Sequence, residues 1–255
     1  MEQIIEEKQL MTQQQAQSIQ RWQQEEVLLL ARHFQRLNVG KSPFSGHFTR
    51  TNCFVMKPDD VHTLNTLKNI SRIRIYMSLE EEDKERFTFC PIINIKFGTD
   101  NQRWFTLEPI YQQPEKPILP DTDVNTGGTI VPGIFKEMIL ANWMSIEDNL
   151  IDDLFVAKIV TSSTLVRVNF FEVNSATILE LFNTTLHNNI SEFVVYPGID
   201  MNKFQDRNMI SFTPVIGVTP KNEVATEIIS RHGLAEFTID QIFMEYLTPC
   251  PPTCT

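Results

Sequence analysis

Glycine is scarce in this chain of 255 residues: there are 9, where ordinary usage of about 7% gives about 18. That shortage excludes functions built on several glycine loops, such as dinucleotide or phosphate cradles. Histidine is scarce too, limited to His33, His47, His62, His187 and His232. No two of these stand four positions apart, and neither His-Glu-x-x-His nor Gly-x-Ser-x-Gly occurs. A helical zinc pair and a nucleophile elbow are thereby excluded. Positive charge is short as well, with 22 Lys and Arg against 32 Asp and Glu and a net charge of −10. Such a chain repels phosphate backbones, and no basic cluster offsets this, so nucleic acid is not expected as a partner. Long apolar runs are missing: the longest, Val27 to Ala31, falls far below the ~20 residues of a membrane span. The opening "MEQIIEEKQL" lacks the cationic flank and apolar stretch of a signal peptide. These absences predict a cytoplasmic protein with no membrane partner.

In a reducing compartment the four cysteines, Cys53, Cys90, Cys250 and Cys254, are expected to be free thiols or metal ligands rather than disulfides. The Asn-x-Ser/Thr triplets at Asn69, Asn183 and Asn189 then carry no glycan. What is present is an ordinary globular balance, 42% hydrophobic and 21% charged, in a chain long enough to bury a sizeable core. Residues 1–40 read as a Gln-rich helical arm with a capping box at Thr12 and Gln15. Ile19, Trp22, Leu29, Leu30, Phe34 and Leu37 approximate a helical stripe, expected to pack on the core over 24–37. Residues 1–20 are expected to stay exposed.

An internal repeat organises the rest. The stretches "CFVMKPDDVHTLNTLKNISRIRIYM…RFTFCPIINIKF" and "NFFEVNSATILELFNTTLHNNISEFVVYP…NMISFTPVIGV" share five features in order. These are an aromatic strand (Phe54; Phe170 or Phe171), a helix start (Pro58-Asp59-Asp60; Asn174-Ser175), an Asn-Ile-Ser, a strand ending on Tyr76 or Tyr196, and a Phe-x-Pro strand at Phe89 and Phe212. The two copies stand 120 positions apart at Asn-Ile-Ser and 123 at the proline strand. The fold class predicted is α+β: two duplicated strand–helix–hairpin units with flanking N- and C-terminal helices. The first unit spans 41–107 and the second, with its flanking helices, 133–247. Residues 108–132, with five prolines, form a linker. The alternation of Ser71, Ile73, Ile75 and Met77 with Arg72, Arg74 and Tyr76 marks a half-buried strand. The acidic run Glu80 to Asp83 reads as a solvated turn, without the ligand spacing of a calcium loop. The proline inside each Phe-x-Pro strand predicts an edge or a bulge. Helices are expected from Ile134, from Ser145, from Thr219 and from Thr238.

The chain closes on Cys250-Pro251-Pro252-Thr253-Cys254. With trans prolines this segment is extended, and at ~3.1 Å per residue its two cysteines stand roughly 12 Å apart. That distance exceeds the ~7 Å limit of a disulfide, and a cis proline reverses the conclusion. A zinc site from all four cysteines has the right ligand count but requires the tail to fold back. Cys90 aligns with Thr213 and Cys53 with Asn169 or Phe170, so both read as structural thiols. The tail, together with "IRIYMSLEEEDKERFTFCPIINI", resembles a set of Bacteroidetes proteins that carry a helix–hairpin unit and end in Cys-Pro-Pro-x-Cys. The resemblance implies a bacterial cytoplasmic origin and supplies no activity.

No catalytic constellation, metal site or cofactor site emerges. The leading reading is a non-enzymatic interaction or assembly protein, self-associating or binding a protein partner through its N-terminal helix and through Pro249, Cys250, Pro251, Pro252 and Cys254. An alternative is a small-molecule-binding protein with a cleft between the units, lined by His47, Arg72, Arg74, Tyr76 and Tyr196. A third is a thiol or zinc protein using Cys250 and Cys254.

Overall fold

The computed structural model describes residues 11–24, 27–37, 48–83, 86–111, 130–158, 164–204, 209–221, 241–245 and 247–251. The first half opens with helix α1 (Gln13–Gln24), a 3-10 stretch (Val27–Phe34) and the hairpin of β1 (Gln35–Leu37) and β2 (Phe48–Arg50). Strand β3 (Cys53–Val55), helix α2 (Pro58–Thr66) and strand β4 (Ile70–Tyr76) follow. A small hairpin, β5 (Leu79–Asp83) with β6 (Arg86–Phe89), precedes β7 (Ile92–Phe97), β8 (Asn101–Thr106) and β9 (Glu108–Ile110). The second half begins with β10 (Ile130–Val131), helix α3 (Gly133–Ser145) and two 3-10 turns (Asp148–Leu150 and Asp152–Phe155). Next come the hairpin of β11 (Val156–Lys158) and β12 (Leu165–Arg167), strand β13 (Phe170–Val173), helix α4 (Ala176–Asn183) and strand β14 (Ile190–Tyr196). A short helix α5 (Met201–Phe204), β15 (Val215–Pro220), β16 (Ile242–Met244) and β17 (Leu247–Cys250) complete it.

The strands form two antiparallel sheets, in the orders β10-β16-β15-β14-β3-β9 and β17-β13-β4-β7-β8, with three two-stranded hairpins outside them. The class is α+β. Elements α1 to β4 and α3 to β14 run in a similar order, after which the first half has the β5–β6 hairpin and the second has α5; the halves exchange strands. β3 of the first half pairs β14 of the second, while β13 of the second pairs β4 of the first. Register matches as well: Ile75 lies opposite Ile93 where Val195 lies opposite Ile216, and Phe54 opposite Pro109 where Phe171 lies opposite Pro249.

Local chemistry explains the helices. Lys57 precedes Pro58 and is held extended, and Pro58 with Asp59 and Asp60 suits the first turn of α2. The Ser175 hydroxyl accepts from Ile178 N at the start of α4. Helices α2 and α4 each end on an asparagine clamp, buried at Asn65 and half-buried at Asn183, that crosses to the other half. The Asn65 amide donates to Ile190 O (2.7 Å) and accepts from Ile190 N (2.9 Å). The Asn183 amide does the same with Ile70, at 2.8 and 2.6 Å. Where the halves meet, the core is aromatic. Phe34 stacks on Phe155 with centroids 5.5 Å apart, and Trp22 and Trp143 pack edge-on to Phe155 and Phe34. Trp22 Nε1 donates to Val168 O and Trp143 Nε1 to Thr51 O, so each buried indole is satisfied.

Several expectations need correction. The Thr12–Gln15 capping box forms; of residues 11–20 most are exposed or half-buried, Ser18 alone among them is buried, and Trp22 anchors the helix in the core. The helix gives way to 3-10 structure and then to β1. The acidic run is strand β5 rather than a turn, and β4 pairs β7 directly. Pro91 divides the expected long strand into β6 and β7, which leaves β7 at an interior position of its sheet. Glu108 to Ile110, taken as linker, is an edge strand. The helix expected from Ser145 is a pair of 3-10 turns. Val215 to Pro220 is strand, so the helix expected from Thr219 does not begin there, and residues 222–240 lie outside the described residues. Strands β16 and β17 occupy the stretch predicted as the last helix, because Ile242 and Met244 are buried on one side of a sheet rather than along a helical stripe.

Candidate functional site

The sequence-derived candidates do not converge. Arg72, Arg74 and Tyr76 alternate with the buried Ile73 and Ile75 and so lie on the opposite face of the five-stranded sheet. There Arg74 pairs with Glu172 and lies 4.4 Å from the Phe170 ring centroid, and Tyr76 packs on Phe170 and Trp104. Burial alone would lower the pKa of Arg74, but the hydrogen bonds it donates to Tyr76 and Glu172, with their charge, outweigh it and raise the value. Tyr196 belongs to the other sheet, where Lys136 of α3 sits 4.7 Å from its ring centroid and its hydroxyl donates to Gln241 Oε1 (2.8 Å). Burial pushes the Tyr196 phenol well up. His47 lies outside the described residues. The place expected to be a cleft, between the halves, is filled by the rings of Phe34, Phe155, Trp22 and Trp143.

The tail folds onto its own chain. Leu247 to Cys250 is the outermost strand of the five-stranded sheet, with Pro249 opposite Phe171 and Cys250 opposite Phe170. Pro251 follows in a turn, and Pro252 and Cys254 lie outside the described residues. The Cys250–Pro251 bond is cis and Cys250 is disulfide-bonded, which corrects the expectation of an extended segment with free thiols. Cys53 and Cys90 are free. Burial and the charge of Glu192 push the Cys53 thiol up to about 11, and burial beside Glu80 pushes Cys90 higher still. Neither is a reactive thiolate at neutral pH. Among the described residues, no three His, Cys, Asp or Glu side chains gather as a metal site, and no helix is long and apolar enough to cross a membrane.

Two of the openings among the described residues bear on function. One is a groove of about 720 Å³ beside the β1–β2 hairpin, bordered by Leu37, Phe48, Phe87, Arg86 and Asp148. Leu37 and Phe48 are direct cross-strand partners, and 37% and 45% of their surfaces are exposed. The other is a polar pocket of about 280 Å³ between α1 and the sheets, lined by Gln14, Gln15, Ser18, Ser78, Glu80, Cys90, Thr106 and Glu108 among others. Gln14 Nε2 donates to Glu80 Oε1 (3.0 Å), Gln15 Nε2 to Thr106 Oγ1 (3.3 Å) and Ser78 Oγ to Cys90 O. Sequence reasoning passed over this pocket because its repeat began at Cys53. Setting Trp22 against Trp143 extends the match to α1 and α3 and places Ser18 against Ile139, a polar residue where the other half is apolar. Comparison with protein-family profiles, with curated proteins and with solved structures finds no match to this chain.

Proposed function

We propose that the protein is a non-enzymatic interaction and assembly protein that self-associates. The observation that carries this reading is the exposed apolar pair Leu37–Phe48 beside a groove, in a molecule whose matching hairpin presents Leu165 with 66% of its surface exposed. Leu165 of one copy is a knob suited to the groove of the next. A contact between two different patches propagates head to tail, so it builds rings or open chains rather than a closed two-fold pair. The β17 edge, where Pro249 and Cys250 lie, adds a sheet margin that a second copy can approach. Sedimentation velocity over a concentration series tests this. Self-association is expected, and Leu165→Ser and Phe48→Ser are each expected to weaken it by about tenfold or more, since each removes a buried apolar contact. A strict monomer at the highest concentration reached, or association indifferent to both substitutions, overturns it.

A second reading, a small-molecule-binding protein, is favoured by the polar pocket under α1 rather than by any cleft between the halves. The bacterial cytoplasmic origin belongs to the same proposal, and the disulfide at Cys250 weighs against it because reducing compartments keep thiols free. Maleimide labelling in intact cells decides: labelling of Cys250 keeps the cytoplasmic placement, and protection reversed by a reductant removes it.

A further inference from the structure

Resting on the small-molecule reading, we propose that the pocket beneath α1 binds a small amine-bearing cation, of which an aliphatic di- or polyamine is the simplest kind. The space lies at a place where the two halves differ. In the second half Ile139 of α3 fits against Gly198 so closely that a Cβ there would stand 2.3 Å from Ile139 Cδ1. Phe135, Ile139, Val131 and Val215 close that region as a small apolar cluster. At the matching positions of the first half stand Gln14, Ser18 and Ser78. Ser18 retains only 3% of its surface exposed, and its hydroxyl has no hydrogen-bond partner among the described residues. A buried hydroxyl facing a polar space is a group that a polar ligand or water must satisfy.

Charge decides the class of ligand. Glu80 lines both this pocket and an adjoining opening of about 360 Å³ that also takes in Glu81, Glu82 and Glu108. Neighbouring cations engage the other acids: Arg21 with Glu81, Arg36 with Glu82, and Lys57 with Glu108 at 3.2 Å. Glu80 hydrogen-bonds only neutral groups, the Gln14 amide and the Cys90 thiol, and makes no ion pair among the described residues; Lys57, which also lines the pocket and pairs with Glu108, acts on it only at longer range. One ammonium group placed on Glu80 completes the pattern of its neighbours. A second donor on the same ligand reaches the Ser18 hydroxyl and the carboxamide oxygens around it.

Isothermal titration of the full chain with putrescine and spermidine, with glucose and inorganic phosphate as contrasts, tests this. The amines are expected to bind, more weakly as salt rises. Glu80→Gln is expected to weaken them by about tenfold or more, as for loss of a charge-assisted hydrogen bond. The double substitution Ser18→Ile with Ser78→Gly, which copies the closed half, is expected to abolish binding while circular dichroism stays unchanged. Amine binding indifferent to both variants marks general attraction to an acidic surface and overturns the proposal. Binding of glucose or phosphate alone, lost in the double variant, overturns the amine class but keeps the small-molecule reading. No binding by any probe overturns both.

Discussion

Two polar side chains, one buried and one half-buried, help to hold the halves together. Asn65 and Asn183 each complete both backbone groups of the first residue of a strand in the opposite half, Ile190 and Ile70. Removing either amide leaves a backbone N–H and C=O without partners, and Asn65 is itself buried. Asn65→Ala and Asn183→Ala are therefore each expected to destabilise by about 2 kcal/mol in urea denaturation; a loss below about 0.5 kcal/mol in both would show that water substitutes. Cys53 makes a pH prediction. Its thiol is raised to about 11 by burial and Glu192, against an unfolded value of about 8.5. A group raised in the folded state contributes stability that is full below the unfolded pKa. That contribution is lost as pH climbs from about 8.5 to about 11. Cys53→Ser should lack this component, so the stability difference between the two proteins is expected to change over that window and stay flat below it. A thiolate of Cys53 forming at pH 8 in spectroscopic titration would refute the assignment.

At the scale of elements, the docking of α3 depends on a glycine chosen for space. Gly198 lies against the Cβ, Cγ1 and Cδ1 of Ile139, all closer than 3 Å to where its own Cβ would stand. Gly198→Ala is thus expected to cost about 1–3 kcal/mol by overpacking, read from the denaturation midpoint. Ser78→Gly, at the matching place in the first half, relieves no such contact because Ser18 stands where Ile139 does. A neutral Gly198→Ala would mean that α3 shifts freely on its sheet. Element identity also shows how context overrides pattern. Glu80 to Asp83 forms a strand despite its charge because Leu79 pairs Phe89 in the core and Arg21, Arg36 and Arg86 neutralise the acids above it. Leu247 to Cys250 forms a strand because β13 offers an edge that only a distant part of the chain reaches.

For the whole molecule, exchange of strands between halves predicts that neither half unfolds alone. Far-ultraviolet circular dichroism and tryptophan fluorescence are expected to report one coincident transition in denaturant. Phe34→Ala and Phe155→Ala, at the stack where the halves meet, are each expected to lower the midpoint of that single transition by the equivalent of about 3–5 kcal/mol. Two separated transitions would show halves that fold independently.

The sequence by itself determined the α+β class, the two helix starts at Pro58 and Ser175 and the Thr12 cap, because each depends on chemistry within a few residues. Ile75 pairs with Ile93 and Val195 with Ile216, positions separated by the 120 and 123 offsets on which the expected repeat rests. Only the tertiary structure decided which strands are neighbours, that β3 and β13 change sheets, that Arg74 and Tyr196 lie on different sheets, and that Cys250 folds back into a disulfide-bonded edge. Those outcomes follow from long-range burial and hydrogen-bond completion, which couple residues far apart in the chain, such as Phe170 with Tyr76 and Val194 with Val55, and leave no local periodicity to read. The pocket under α1 is of the same kind: Ser18 is an unremarkable helix residue until Ser78 and Glu80, some sixty positions on, are brought beneath it.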